Sequence, residues 1–299
     1  MVNRERNFSL LVCFLWICGS AAYGAVGAAS YLNEGVGARW LGMGGAARAA
    51  ARDVTAACWN PAGLAMQGPV EWQAGTMLGF ADHGRSFGYL SGSWQTDRHG
   101  TFAASWIRYS VPGLERVDSA GVVGGTVTNL EDALILSLGK SLIYQVSAGA
   151  SVKILRQELF DFKAYGSAVD LGLVIQPFLG REIHLAFTVE NAVSRFKWET
   201  GTSDTLSRAF CGGLAVKTPA EKALFALDVV SRENKEDPEL HFGAEYWAFT
   251  ELALRAGLSD SRPTGGVTYF WKPYEFDYSF LWNEDDLGSA HQFSFLLHF

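Results

Sequence analysis

Lys153, Asp170, His184, Glu190, Asp228, His241, Glu245, Arg255 and Asp277 are spread through the chain among apolar residues. Side chains of these types can act as acids and bases, as metal ligands or as partners in an ion-pair network. Spacing separates these roles. The sequence has no Gly-x-Ser-x-Gly elbow, no His-Glu-x-x-His and no Cys-x-x-Cys, and its histidines lie far apart at 83, 99, 184, 241, 291 and 298. Gly42-Met43-Gly44 with Ala47 has the outline of a dinucleotide loop, but no strand precedes it. No enzyme, metal site or cofactor is therefore expected. The charges read as a network lining an interior, in which Lys153 and Arg255 are the cations suited to receive a carboxylate headgroup.

The elements that carry these residues alternate with a period of two. Phe293, Phe295, Leu297 and Phe299 share one parity, with Gln292, Ser294 and His298 on the other. Phe276, Tyr278, Phe280 and Trp282 oppose Asp277 and Ser279, while Phe225, Leu227 and Val229 oppose Asp228. Period two is the strand signature. Fourteen such segments fit between residues 70 and 299, each with one apolar face and one face that holds the charges. In a β-sandwich the apolar face points inward. In a membrane barrel it points to lipid, and the charged face lines the lumen.

The barrel is favoured on three grounds. Connections after even-numbered segments are tight, as at Asp97 to Gly100 and Lys272 to Tyr274, whereas Pro112 to Glu131, Phe160 to Gly166 and Ser194 to Asp204 read as long loops. The spacing suits membrane strands of about 9 to 11 residues plus a turn. The chain also ends on Phe299, a terminal aromatic of the kind that barrel-assembly machinery reads. The expectation is an all-β fold: a transmembrane antiparallel β-barrel of 14 strands. Trp247 with Phe249, Tyr269 with Trp271, and Trp282 are expected at its interfacial girdles, and a register slip is expected after Trp106, where parity becomes mixed through Ile107, Tyr109 and Val111.

Composition agrees. The chain of 299 residues is 48% hydrophobic and 18% charged, with 33 glycines and 20 phenylalanines, yet its mean hydropathy is only +0.07. That excludes a disordered tail and, with no long apolar run, a bundle of membrane helices. Arg4 and Arg6, the apolar stretch Phe8 to Cys18 and the small residues Ser20-Ala21-Ala22 form a signal peptide over 1–22, with cleavage after Ala22 or Ala25. As a helix the apolar stretch would span only about 16 Å, too short for a bilayer. The formal net charge of -7 argues against a nucleic-acid partner. Cys58 and Cys211 remain after processing and read as two unpaired, inert residues, although one bridge between them stays open.

Residues 26 to 69 lack the alternation. Gly35, Gly37, Gly42, Gly44 and Gly45 lead into Ala46 to Ala51, which favours a short helix, and then into Trp59-Asn60-Pro61-Ala62-Gly63-Leu64. Asn60 is placed to cap a turn that begins at Pro61. This is a compact plug of small residues; residues 70–299 would form the barrel around it.

Gly37-Ala38-Arg39-Trp40-Leu41-Gly42-Met43-Gly44-Gly45-Ala46, followed by Asp53 and Trp59-Asn60-Pro61-Ala62-Gly63-Leu64-Ala65, resembles the start of FadL-like outer-membrane proteins, most closely the shorter chains of the PorV/PorQ group. The resemblance implies an N-terminal hatch that closes a fourteen-stranded barrel, with Asn60, Pro61 and Ala62 as the hatch motif and Gly42, Gly44 and Gly45 beside it. It implies diffusion of hydrophobic small molecules such as long-chain fatty acids across the outer membrane of a diderm bacterium. Outer-membrane lipid and the barrel-assembly machinery would be partners, the latter through Phe299. The alternative is a docking or shuttle role in secretion and surface attachment, with secreted proteins as partners. Family members often carry two acids before the motif; this chain has Arg52-Asp53.

Overall fold

In the computed structural model the described residues are 28–68, 71–81, 84–117, 121–143, 145–178, 180–219, 222–282 and 289–299. The signal peptide expected over 1–22 lies outside them, as does His83. The alternating segments become β1 (Trp72–Ala81), β2 (Ser86–Thr96), β3 (Gly100–Val117), β4 (Val123–Ile143), β5 (Val146–Leu159), β6 (Phe162–Ile175) and β7 (Ile183–Trp198). After a two-residue piece, β8 (Ser203–Asp204), come β9 (Ala209–Lys217), β10 (Ala223–Arg232), β11 (Glu239–Trp247), β12 (Leu252–Ser259), β13 (Arg262–Trp271), β14 (Tyr274–Leu281) and β15 (Ala290–His298). Every strand pairs antiparallel with its neighbours, β1 pairs with β15 and β6 with β7, and β8 merely flanks Phe196 and Lys197 of β7. The other fourteen strands therefore close a barrel and leave no free edge along its wall.

The two parities face as expected. Phe225, Leu227 and Val229 are exposed on the outside of β10, and Asp228 between them is fully buried. Leu78, Phe242, Leu254, Phe276 and Phe293 continue the exposed band on other strands. Such a surface is stable against hydrocarbon and not against water. A charge at Leu227, which faces Leu214 and Phe242 across the sheet, would lie in that band. Leu227→Arg is expected to cost about 2–4 kcal/mol near the bilayer midplane and to reduce the yield of folded, heat-modifiable barrel. A wild-type yield would reverse the facing assignment.

Several local expectations fail, for identifiable reasons. Pro112 to Glu131 is not a loop: β3 and β4 continue as a two-stranded ribbon, with Leu114 opposite Val127 and Val117 opposite Val123. Val117, Val122 and Val123 are all exposed. Water on both faces removes the polarity difference from which strand periodicity is read. Likewise Phe160 to Gly166 shrinks to a turn at Phe160-Asp161, and β7 runs on to Trp198 inside the expected loop from Ser194 to Asp204. Pairing is regular from Trp106–Leu134 to Val111–Asn129, and the slip expected after Trp106 falls just beyond, where the register shifts between Val111 and Leu114 and again between Glu115 and Val117. The mixed parity has another cause: Ile107 and Tyr109 face inward, where Tyr109 stacks on Tyr31 of the N-terminal segment.

The main wall irregularity is at β7. Its partner changes between Val169–Val193 and Leu171–Val189, with Asn191 at φ 52°. Of the expected girdle, Phe249, Tyr269, Trp271 and Trp282 are exposed; Trp72, not expected there, stacks on Trp94 at the end where the barrel chain begins and finishes. Trp247 differs. It has the parity of Glu245, and its indole Nε1 donates to Glu245 Oε1 at 3.1 Å, inside the mouth.

The lumen is filled by residues 28–68. Short helices cover Ser30–Glu34, Ala38–Leu41, Ala56–Trp59 and Pro61–Met66. Ala46 to Ala51, expected as a helix, instead makes a turn. The wall holds this turn: Asp228 Oδ2 accepts from the backbone N–H of Ala47 and of Arg48, each at 2.9 Å.

Candidate functional site: the hatch and its seats

The hatch is positioned by glycines on both partners. On the wall, Gly139 of β4 pairs with Gly149 of β5, which pairs with Gly172 of β6, all on the inward parity. The row forms a groove three strands wide, and Asn60-Pro61-Ala62 lies in it. A Cβ on Gly149 would collide with the Pro61 carbonyl carbon and the Ala62 nitrogen, and one on Gly172 with Asn60 Oδ1. Asn60 is extended, at φ -158° and ψ 104°, and caps the turn that follows: its Oδ1 accepts from Ala62 N at 3.1 Å. Its Nδ2 donates to Arg48 O at 3.0 Å within the hatch and to Leu173 O at 3.2 Å in the wall. One side chain thus ties the turn, the hatch and β6 together. The hydroxyls of Ser137 and Ser151 both donate to Ala57 O.

A second seat lies across the lumen. Gly243 of β11 pairs with Gly257 of β12, and Met43-Gly44 passes over them so closely that a Cβ on either would meet Met43 or Gly44 backbone. Gly44 has φ 69° and sits between the carbonyls of Leu258 and Phe242, so both its backbone and its surroundings exclude a side chain. Its N–H donates to Thr264 Oγ1 at 2.9 Å, Thr264 Oγ1 donates to Gly42 O at 3.1 Å, and His241 Nδ1 donates to Gly44 O at 2.7 Å. Gly45 stands against the His241 ring.

Arginines of the hatch complete the docking. The Arg39 guanidinium grips Glu245 through Nε at 3.0 Å and Nη2 at 2.8 Å, a fork-to-fork pair. Arg48 donates from Nη2 to Glu190 Oε1 at 2.6 Å and lies 3.5 Å from Asp228. Arg52 pairs with Glu182 at 3.0 Å and donates to His184 Nδ1 at 2.7 Å. Asp53, on the second position of the departing Arg52-Asp53 pair, accepts from Trp40 Nε1 and from Thr55. Cys58 and Cys211 are free thiols, and burial pushes that of Cys58 up to about 12. Such a thiol stays protonated and unreactive.

The charged residues named from the sequence all reach the lumen, although not as one site. Asp228, Glu190, Glu245 and His241 hold the hatch directly, and His184 meets Arg52. Lys153 pairs with Asp170 at 2.7 Å beside the β7 irregularity, donating also to Asn191 Oδ1. Arg255 is engaged by Glu245 at 2.7 Å, by Asp277 and by Thr268. A headgroup carboxylate at either cation would compete with wall carboxylates already in place. The sequence reading missed the hatch arginines Arg39, Arg48 and Arg52 and the wall glycines. Both had a signal: basic residues within an alanine-rich plug, and glycines recurring on the charged parity of successive strands.

Open space lies on both sides of the hatch. Near the end where β1 begins and β15 finishes, a vestibule of about 690 Å³ is bounded by Trp40, Arg52, Gln73, Trp247, Phe270 and Glu275, among others. Toward the other end, a cavity of about 60 Å³ lies between Gly35 and Leu41 of the hatch and Met77, Phe87 and Tyr109 of the wall.

No protein-family model matches the chain, and no curated protein matches it in sequence. Solved structures do match in fold. The Pseudomonas putida toluene transporter TodX is 15% identical with a TM-score of 0.62, over 88% of this chain and 97% of that one. The Ralstonia pickettii toluene transporter TbuX is 14% identical with a TM-score of 0.62, over 89% and 99%. A Pseudomonas aeruginosa FadL homologue is 12% identical with a TM-score of 0.54, over 85% and 95%. At these identities the likeness is one of fold.

Proposed function

We propose that the chain is an outer-membrane channel through which hydrophobic small molecules diffuse, exported by its signal peptide and assembled with Phe299 as the terminal signal. The observation that carries this reading is a lipid-facing barrel whose lumen is stopped by a hatch seated on glycines, with cavities on either side of it. At the two glycine seats hatch backbone lies against wall backbone, with Asn60, Pro61 and Ala62 and with Gly42, Gly44 and Gly45 as contact points, and the ion pairs of Arg39, Arg48 and Arg52 add to that hold. The proteins of like fold include toluene transporters and a FadL homologue, so both monoaromatic hydrocarbons and long-chain fatty acids are substrates to test. In support of a terminal signal, the Phe299 N–H donates to Trp72 O at 3.0 Å, joining this residue to the first strand, while its ring is exposed.

The test is uptake into proteoliposomes of labelled toluene and labelled oleate. Saturable, protein-dependent entry of either supports the channel, and entry of neither sinks it. One feature favours a second reading, docking of secreted proteins: the β3–β4 ribbon extends beyond its neighbours with Val117, Val122 and Val123 exposed. Recovery of secreted cargo on the intact barrel, lost when the ribbon is shortened, would support that role.

A further inference from the structure

The outer face of the wall is not uniform. On β4, Asp132 and Lys140 bracket the exposed Leu134, Leu136 and Leu138. At about 3.3 Å per residue and a strand tilt of about 40°, the two charges stand about 20 Å apart along the barrel axis, close to an apolar band of about 25 Å. Asp132 therefore marks the margin of the hydrocarbon at the end away from Trp72 and His298. From that end project the β3–β4 ribbon and the long connection between Trp198 and Ala209, whereas the opposite end carries turns such as Phe249-Thr250 and Lys272-Pro273. In outer-membrane barrels the longer connections face outside, so this margin meets the outer leaflet.

At that margin a belt of polar side chains crosses the sheet from β3 to β7. Arg108 pairs with Asp132, Asp132 with Arg156, Arg156 with Tyr165, and Tyr165 with Lys197. One step nearer the hydrocarbon, Ser167 of β6 pairs with Arg195 of β7. Tyr165, Ser167, Arg195 and Lys197 are all exposed. The carboxylates of this face have cations of their own. Asp132 is held by Arg108 at 2.8 Å and Glu158 by Arg156 at 2.6 Å, while Glu199 lies across from Lys163, whose carbonyl accepts from the Glu199 N–H at 2.9 Å. Among the described residues, Arg195 and Lys197 form no ion pair. Toward the same end of β10 to β12 the outer face instead holds Val229, Leu240 and Leu258, all exposed. The cations are gathered on one side of the barrel.

Neighbouring strands lie about 4.8 Å apart and alternate residues of one strand about 7 Å apart. Arg195 and Lys197 with the hydroxyls of Ser167 and Tyr165 thus bring four donors around a space the size of a phosphate. A phosphomonoester carries a charge of about -1.5 to -2, which matches two cations without partners. Immediately toward the hydrocarbon, Ile154, Leu171 and Val193 are exposed and continue the lipid-facing band. We propose that the outer face of β6 and β7 binds a lipid of the outer leaflet with a phosphomonoester headgroup, the phosphate on Arg195 and Lys197 and the acyl chains on the apolar side chains beside them. The site rests on the outer-membrane placement and not on transport through the lumen.

Native mass spectrometry of the purified, folded barrel released from nonionic micelles compares lipid A, which carries phosphomonoesters, with the same glycolipid after its phosphates are removed and with phosphatidylglycerol, a phosphodiester. Lipid A is expected to be retained about tenfold or more above the dephosphorylated glycolipid and severalfold above phosphatidylglycerol, since each cation near an anionic headgroup is worth about fivefold. Arg195→Gln and Lys197→Gln should each lower lipid A retention about fivefold. Lys140→Gln removes an exposed cation at the opposite margin and should leave retention unchanged. Inorganic phosphate in hundredfold excess should not displace the lipid. Equal retention of the three lipids, equal loss with Lys140→Gln, or displacement by inorganic phosphate overturns the site. The comparison of lipids on the wild-type barrel decides the matter even if a variant lowers the folded yield. Failed uptake of toluene and oleate with lipid A binding intact removes the channel reading and leaves the site standing.

Discussion

Gly149→Leu is expected to open the barrel. The side chain would have to occupy space held by the Pro61 carbonyl and the Ala62 nitrogen. Backbone cannot move aside by changing rotamer, so the strain falls at the upper end of the overpacking range, about 3 kcal/mol. The wall at this point is a β-strand paired on both sides, with Gly139 and Gly172 as its partners, and yields less readily than the hatch. The hatch should therefore lift from the β4–β6 seat. In planar bilayers the wild-type protein is expected to show little ion conductance and Gly149→Leu discrete open steps, with barrel yield near normal. Gly257→Leu tests the second seat in the same way, because there Met43 and Gly44 pass over the wall. Conductance unchanged in both variants, with folded barrel present, would show that the seats do not hold the lumen closed.

The second large effect is expected from Asp228→Ala. Asp228 Oδ2 accepts from two hatch N–H groups, those of Ala47 and Arg48, and lies 3.5 Å from the Arg48 guanidinium. The Arg48 side chain is only 4% exposed. Removing the carboxylate leaves two buried donors without an acceptor and a buried cation that relies on Glu190 alone. Breaking a buried pair from one side costs about 3–5 kcal/mol. Spread over local opening of the hatch, about 3 kcal/mol corresponds to a rise of about two orders of magnitude in amide exchange. Hydrogen exchange should accelerate across residues 38–52 and stay slow in strands such as β4 and β12. Exchange that speeds up equally in hatch and wall would mean that Asp228 supports the barrel itself.

Both predictions rest on contacts between segments remote in sequence, which sets how much could be read beforehand. The strand body was legible because one face meets lipid and the other an enclosed lumen. That difference writes itself into parity, as at Phe225, Leu227 and Val229 against Asp228. Where it vanishes the reading failed: the β3–β4 ribbon has water on both faces and looked like a loop. Trp247 shows the converse error. An aromatic near a strand end suggested the lipid interface, but its parity with Glu245 sends it into the vestibule. The Asn60-Pro61 turn was legible because capping is local, with Asn60 Oδ1 bonding Ala62 two residues on.

By itself the sequence determined a barrel with charged lumen positions, a plug of small residues ahead of it and the side of each strand that faces lipid. These follow from period-two burial and from local turn chemistry, which act within a few residues. Only the tertiary structure decided where the plug rests and which charges meet. Gly139, Gly149 and Gly172 become a seat only when three strands bring them into register. Arg39, Arg48 and Arg52 find Glu245, Glu190 and Glu182 across more than a hundred residues of chain. A glycine records that a side chain is absent but not what fills its place, and a charge records a need for a partner but not its address. Barrel closure supplies both.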